Sequence, residues 1–278
     1  MNTIDLHVHS NASDGTYSPT QLVDYASKKH LSAFALTDHD TVAGVNEAIH
    51  AATQYNIKVI PGVELSTDYN NQDVHILGLF IDYTNDSFLS KLKDLNAIRA
   101  KRNDQMCYLL QKEGFDISIK KMYEKFGDTV ITRAHFARYL LDHGYLSSMK
   151  EAFDSYLDVG CSCYVPKYKC SPFEAIDIIL KANGVPVLAH PLLYRFNNKQ
   201  LEELVHLLKN SGLMGIEAIY SLNENQDEAN MLALARKYNL KVTGGSDFHG
   251  KNKPNIDLGI GRGSLLIPAS LLEQFAFS

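Results

Sequence analysis

The chain has 278 residues, of which 45% are hydrophobic and 21% charged, and a formal net charge of −5. That length can bury a full core but not two large domains. The acidic balance argues against a non-specific grip on long duplex nucleic acid, which needs a large basic excess. No apolar run approaches the roughly 18 residues of a membrane span, and no basic leader precedes the first apolar run. The four cysteines, Cys107, Cys161, Cys163 and Cys170, form no framework pattern. A reduced, cytoplasmic protein with no membrane partner is expected.

In chain order, TIDLHV (3–8) reads as a first strand. SPTQLVDYA then opens a helix over 19–29, with Ser as N-cap and Pro at the first helical position. Further strands are predicted at 33–37 (AFALT), 57–64 (IKVIPGVE), 74–81 (VHILGLFI), 185–189 (VPVLA), 215–219 (GIEAI) and 241–245 (KVTGG), and helices over 43–54, 87–113, 133–142, 172–183, 198–211 and 226–238. Repeated strand–helix units imply an α/β fold with a parallel sheet, closed as a barrel or left open. Asp82 to Gly184 separates the fourth strand from the fifth, too long a stretch for a structureless loop. Its Lys- and Tyr-rich, helical pattern predicts an insertion domain. The division expected is a barrel domain of 1–84 and 170–278 and a helical insertion of 85–169.

Of the eleven histidines, six lie at strand edges or just beyond: His7, His9, His39, His75, His190 and His249. The carboxylates Asp14, Glu64 and Asp247 fall in similar places. Positions i and i+2 of a strand share a face, so His7 and His9 can address one object. The carboxyl ends of barrel strands converge on one rim, where active sites sit. Each motif alone is weak; their recurrence on five strands is what carries the reading. Nine ligand groups exceed what one ion takes, and imidazole with carboxylate but no thiolate suits Mn, Fe or Zn. His30, His50, His143 and His206 fall on helical patterns and are read as structural. Three thiols in CSCYVPKYKC lack a CxxC pair and are not read as a metal site. The glycine-rich LGIGRGS (258–264) opens no helix and reads as a turn.

Together, DLHVHSNASDGTYSP, FALTDHDTVAG, IPGVELS, DVHILG, VLAHP and GGSDFHG resemble the polymerase-and-histidinol-phosphatase (PHP) family of metal-dependent phosphoesterases. Nine donors fit two to three divalent ions (Mn, Fe or Zn, manganese favoured), and the resemblance implies a distorted (β/α)7 barrel with a trinuclear site. His7, His9, Glu64 and Asp247 would hold the first ion. Glu64 would bridge to a second held by His75 and His190, and Asp14, His39 and His249 would hold the third. A metal-bridging hydroxide would attack phosphorus. The stretches ITRAHFARYL (131–140) and YVPKYK (164–169) resemble the branch acting on nucleoside phosphates. The activity implied is hydrolysis of a nucleoside 3′,5′-bisphosphate to a nucleoside 5′-monophosphate. Alternatives are a 5′-3′ exonuclease on short RNA, a histidinol-phosphate-type phosphatase, or an amidohydrolase on a similar barrel. Against the last, no lysine ends a strand.

Arg133 can pair bidentately with a phosphate and Lys167 can act as a point charge, with Arg138 and Lys169 as weaker candidates. His135 is the first candidate for general acid. Tyr164, Tyr168 and Phe136 could stack a base. The expected substrate is therefore a small phosphorylated nucleotide or short oligonucleotide.

Overall fold

A computed structural model of the chain describes residues 2–166 and 170–275. Its strands are β1 (Thr3–Val8), β2 (Leu31–Leu36), β3 (Lys58–Tyr69), β4 (Gln72–Leu79), β5 (Val185–Leu188), β6 (Gly215–Tyr220) and β7 (Lys241–Gly245), hydrogen-bonded in that order into one sheet. The helices among the described residues are α1 (Pro19–Lys28), α2 (Val45–Ala52), α3 (Asp86–Lys112), α4 (Ile119–Phe126), α5 (Arg133–Asp142), α6 (Met149–Ala152), α7 (Pro172–Lys181), α8 (Asn198–Asn210) and α9 (Asp227–Lys237). None is long and apolar enough to cross a membrane. Ser18 caps α1 through a reciprocal capping box with Gln21, and Pro19 opens the helix where its missing N–H is no loss. The Gly259, Gly261 and Gly263 stretch is a turn, each glycine at positive φ.

The expected all-parallel sheet is corrected at one strand. β1–β2, β2–β3, β5–β6 and β6–β7 pair parallel, but β4 runs antiparallel to both β3 and β5. The reason is local. Only Asn70 and Asn71 separate Tyr69 from its partner Gln72, both at positive φ (53° and 63°). A two-residue turn of that conformation makes a hairpin, whereas a parallel return needs a long crossover. Both strands therefore run past the apolar runs that announce them. Because β4 is reversed, its beginning lies level with the end of β3, and His75 pairs with Ser66.

The barrel nearly closes between β1 and the chain after β7. His9 N–H donates to the Phe248 carbonyl (3.0 Å) and Asp247 N–H to the His7 carbonyl (2.9 Å). Gly245 permits this approach: a Cβ there would lie 2.2 Å from the His7 Cβ. The buried Asp5 carboxylate laces the seam. It accepts from the backbone N–H of Ser246 (2.9 Å), Gly259 (2.9 Å) and His7 (3.3 Å). Burial pushes its pKa up to about 6 against these hydrogen bonds. Ile4, Leu6, Ala33, Ala35, Leu77 and Val187 form one buried core with Ile267 and Phe275.

The chain divides into two compact units, Met1–Lys91 with Lys169–Ser278, and Leu92–Tyr168. The second has its own core of Met106, Leu110, Met122, Phe136, Leu140 and Leu157. A π-helical turn, Phe153–Leu157, follows α6 in this unit.

Replacing Asp5 by Ala strands three buried N–H donors. It is expected to lower the unfolding free energy by roughly 2–4 kcal/mol, read from the denaturant midpoint. A loss below about 0.5 kcal/mol, the size of an ordinary surface change, would show that the seam does not depend on this carboxylate.

Candidate metal centre

All nine residues singled out at strand edges come together at one rim. His7 lies on β1 and His9 just beyond it. Glu64 and His75 lie on the two arms of the β3–β4 hairpin. His39, His190, Asp247 and His249 sit on loops following β2, β5 and β7, and Asp14 on the loop after β1. They form four overlapping groups whose donor atoms lie within 4.8 Å of one another: His9, Asp14, His39 and His249; His7, Glu64 and His190; His7, His9 and Asp247; and His39, Glu64 and His75.

Glu64 is the hub. Its Oε2 lies 3.2 Å from His7 Nε2, 3.1 Å from His9 Nε2 and 3.2 Å from His39 Nδ1. Its Oε1 lies 2.8 Å from His75 Nδ1 and 2.9 Å from His190 Nε2. Asp247 Oδ1 faces His249 Nδ1 (3.3 Å), His9 Nε2 (3.5 Å) and His7 Nε2 (3.7 Å). Asp14 approaches His249 Nε2 at 3.2 Å and His39 Nε2 at 3.8 Å. His190 and Asp247 hold positive φ (26° and 58°), a strain that persists where surrounding structure enforces it.

Electrostatics prepares these groups for cations. Burial favours the neutral acid at Asp247, but Lys253 and His249 outweigh it and hold the carboxyl well below its ordinary range. Glu64 is likewise held well below despite its burial, by the imidazoles around it. Burial, reinforced by the charge of His249, lowers His9 to about 4, so its imidazole is neutral. Ionised carboxylate and neutral imidazole are the states in which these side chains ligate metal. The Nδ1 atom of His9 is buried without a hydrogen bond, 3.8 Å from Asp14 Oδ1. A buried polar atom left in this way is costly, and a cation would satisfy it. The donor set therefore fits divalent ions.

Several supporting residues escaped the sequence reading. Glu217 on β6 takes His7 Nδ1 at 3.0 Å and accepts the His190 backbone N–H at 2.7 Å. It thereby orients His7 with Nε2 toward the cluster. Asp38 accepts from Ser10 N–H (2.8 Å), Ser10 Oγ (2.6 Å) and Ser13 Oγ (2.6 Å), fixing the loop that carries Asp14. The Tyr194 hydroxyl sits 3.2 Å from both the backbone N–H and carbonyl of His75. The available signal was an acid in the middle of an apolar strand, GIEAIY, and the Asp that precedes His39 in TDHDT.

The other candidates belong to the second unit or lie outside the described residues. His135 Nδ1 accepts the Thr132 N–H (3.0 Å) at the start of α5, and its ring meets Phe126 edge-on. Arg133 donates to the Leu157 carbonyl (3.4 Å), with its guanidinium 6.0 Å from the centre of the Tyr164 ring. Arg138 is paired with Asp142 at 2.8 Å. Phe136 is corrected from a base-stacking candidate to a core residue: it is fully buried in the second unit's core and has no face to offer. Lys167, Tyr168 and Lys169 lie outside the described residues.

A family model for the PHP domain matches residues 5–242. The chain is 38% identical over 249 residues to a 5′-3′ exoribonuclease of Haemophilus influenzae, covering 88% of this chain and 89% of that one. It is 35% identical over 264 residues to a 3′,5′-nucleoside bisphosphate phosphatase of Chromobacterium violaceum, covering 93% and 91%. Among solved structures, a Bifidobacterium adolescentis protein assigned as a metal-dependent phosphoesterase superposes with a TM-score of 0.86 at 30% identity, covering 98% of this chain and 95% of its own. The barrel and these relatives define a metal-dependent phosphoester hydrolase. The chain belongs to the PHP domain family.

One consequence for pH follows from His7. Burial disfavours its charged form, but Glu217, Glu64 and Asp247 more than offset this and hold its pKa well above the ordinary histidine range. Without an ion His7 is therefore protonated near neutrality, and an ion that takes Nε2 must expel that proton. Metal affinity should rise with pH, by about tenfold per unit for each proton displaced. Calorimetric titration of the metal-free protein in buffers of different ionisation enthalpy should register proton release. Uptake without released protons would show that the metal-free His7 holds no proton for an ion to displace.

Proposed function

We propose that this enzyme removes one phosphate from a nucleoside 3′,5′-bisphosphate and leaves a nucleoside 5′-monophosphate. The observation that carries the reading is the convergence of nine imidazole and carboxylate donors around Glu64, in a chain related over nearly its whole length to a bisphosphate phosphatase. In this reading His7, His9, Glu64 and Asp247 hold one ion, Glu64 with His75 and His190 a second, and Asp14, His39 and His249 a third, manganese being the preferred metal. The overlap of the four donor groups through Glu64, His7, His9 and His39 supports such sharing. Bound divalent ions would supply a nucleophilic water at neutral pH and neutralise the phosphoryl oxygens.

The protein's own part is binding, orientation and proton supply. Arg133 takes the second phosphate, for which a planar fork of N–H donors is suited. His135 is assigned as the general acid. Its Nδ1 accepts from Thr132 N–H, so the neutral ring carries its proton on Nε2, the atom from which it can be given to a leaving oxygen. Lys167 and Tyr168 complete the proposed substrate contacts. A second reading, a 5′-3′ exonuclease on short RNA, is favoured by the similarity to the Haemophilus influenzae enzyme. The two readings share the metal chemistry and differ in what leaves.

The test is a panel of nucleoside 3′,5′-bisphosphates, short 5′-phosphorylated RNA and an aryl phosphate, assayed with Mn and with EDTA. Turnover of the bisphosphate at least tenfold above RNA is expected; the reverse order would replace the phosphatase reading with the exonuclease. His9→Ala and Asp247→Asn should each lower kcat/KM by about a thousandfold or more, the several kcal/mol that a metal supplies. Arg133→Ala should raise KM for the bisphosphate by about tenfold, the worth of one charge-assisted contact, and leave the aryl phosphate nearly unchanged. Equal effects on both substrates would remove Arg133 from the substrate site.

A further inference from the structure

The two oxygens of Asp247 keep different company. Oδ1 faces the imidazoles of His7, His9 and His249. Oδ2 points away from them and accepts from two donors, the Tyr220 hydroxyl at 2.8 Å and the Lys253 ammonium at 2.6 Å. Tyr220 ends β6 and is 4% exposed. Lys253 follows the short 3-10 turn Gly250–Asn252, and its side chain is 39% exposed. Lysine can only donate, so Oδ2 gains nothing from exchanging roles with it. The Asp247 backbone is pinned as well, by its N–H to the His7 carbonyl (2.9 Å). The carboxylate is thus held at both ends and cannot turn its second oxygen inward without breaking two contacts.

We propose that Tyr220 and Lys253 are positioning residues that confine Asp247 to a single donor oxygen and thereby set the ion preference of the centre. The inference rests on the metal-centre reading above. Its physical basis is coordination number. Zinc is satisfied by about four ligands, whereas manganese takes up to six and suits oxygen donors. A carboxylate that offers one oxygen favours the lower number; a carboxylate free to offer two favours the higher. Groups that act behind the ligands in this way commonly change metal affinity by about 10–100-fold.

A complication supplies the control. Removing Lys253 deletes a positive charge next to the ions, which strengthens binding of any divalent cation irrespective of geometry. The ratio of Mn to Zn affinity cancels that effect, since both carry the same charge.

The experiment titrates the metal-free 278-residue protein with Mn and with Zn against a chromophoric chelator, reading stepwise affinities rather than activity and comparing the binding step that Asp247→Asn weakens most. In the Tyr220→Phe/Lys253→Met double variant the Mn-to-Zn affinity ratio should rise about tenfold over wild type. A ratio unchanged to within twofold overturns the proposal. If the double variant does not fold, Lys253→Met alone decides, since its side chain is part-exposed: a ratio raised at least threefold supports the clamp and an unchanged ratio overturns it. Thermal unfolding of each metal-free variant accompanies the titration, because a merely structural role would move the midpoint and leave the ratio alone. Wild-type protein that takes up neither ion would overturn the metal-centre reading itself, whereas normal loading with an unmoved ratio sinks only the clamp.

Discussion

The buried carboxylate of Glu64 is the constraint on which the rest of the structure turns. It is 1% exposed and has five imidazoles within 3.2 Å of its two oxygens. Isolated, such a charge would be neutralised or expelled from the interior. Here every neighbour is a group able to carry or share positive charge, and two more carboxylates, Asp14 and Asp247, are set at the edge of the same cluster. An arrangement so rich in donors for cations is poor design for stability and good design for holding ions. The strained backbone at His190 and Asp247 belongs to the same compromise, in which local strain is tolerated where the chemistry requires it.

The barrel serves this cluster by delivering residues from distant parts of the chain to a single level. Parallel strands do so at their carboxyl ends, and β4 does so at its beginning because it runs backward. Behind these imidazoles and carboxylates stands a layer of supporting groups: Glu217 on His7, Tyr194 on the backbone of His75, Asp38 on the loop of Asp14, and Tyr220 with Lys253 on Asp247. Glu217 leaves His7 Nε2 facing the cluster, and Tyr220 with Lys253 leaves Asp247 Oδ1 facing it.

Much of the barrel and rim was legible in the residues themselves. His7 and His9 announce themselves by sharing a strand face, and the other histidines by standing where apolar runs stop. The seven strands were readable as apolar or β-branched segments bounded by turn residues. The reversal of β4 was less legible, because Asn70-Asn71 is a quiet turn signal between strands that run past their apolar runs. The supporting layer was hidden for a different reason. A glutamate such as Glu217 within an apolar strand, or a lysine such as Lys253 in a loop, has no spacing that betrays its partner; only the closed barrel brings it to His7 or Asp247. The place of Phe136 is hidden in the sequence because an aromatic in a helical segment looks the same whether it faces a ligand or its own core.

The hairpin and the seam also differ in when they can form. Glu64 and His75 meet across eleven residues, and that half of the cluster assembles through local contacts that close quickly. Asp5 waits for partners 241 and 254 positions away. On a ribosome the first strand can pair with β2 early, but its other edge must remain without a partner until Ser246 and Gly259 have emerged. During that interval this apolar edge is open to wrong pairing, and His7 on the strand and His9 just beyond it are exposed to whatever cations the surroundings offer.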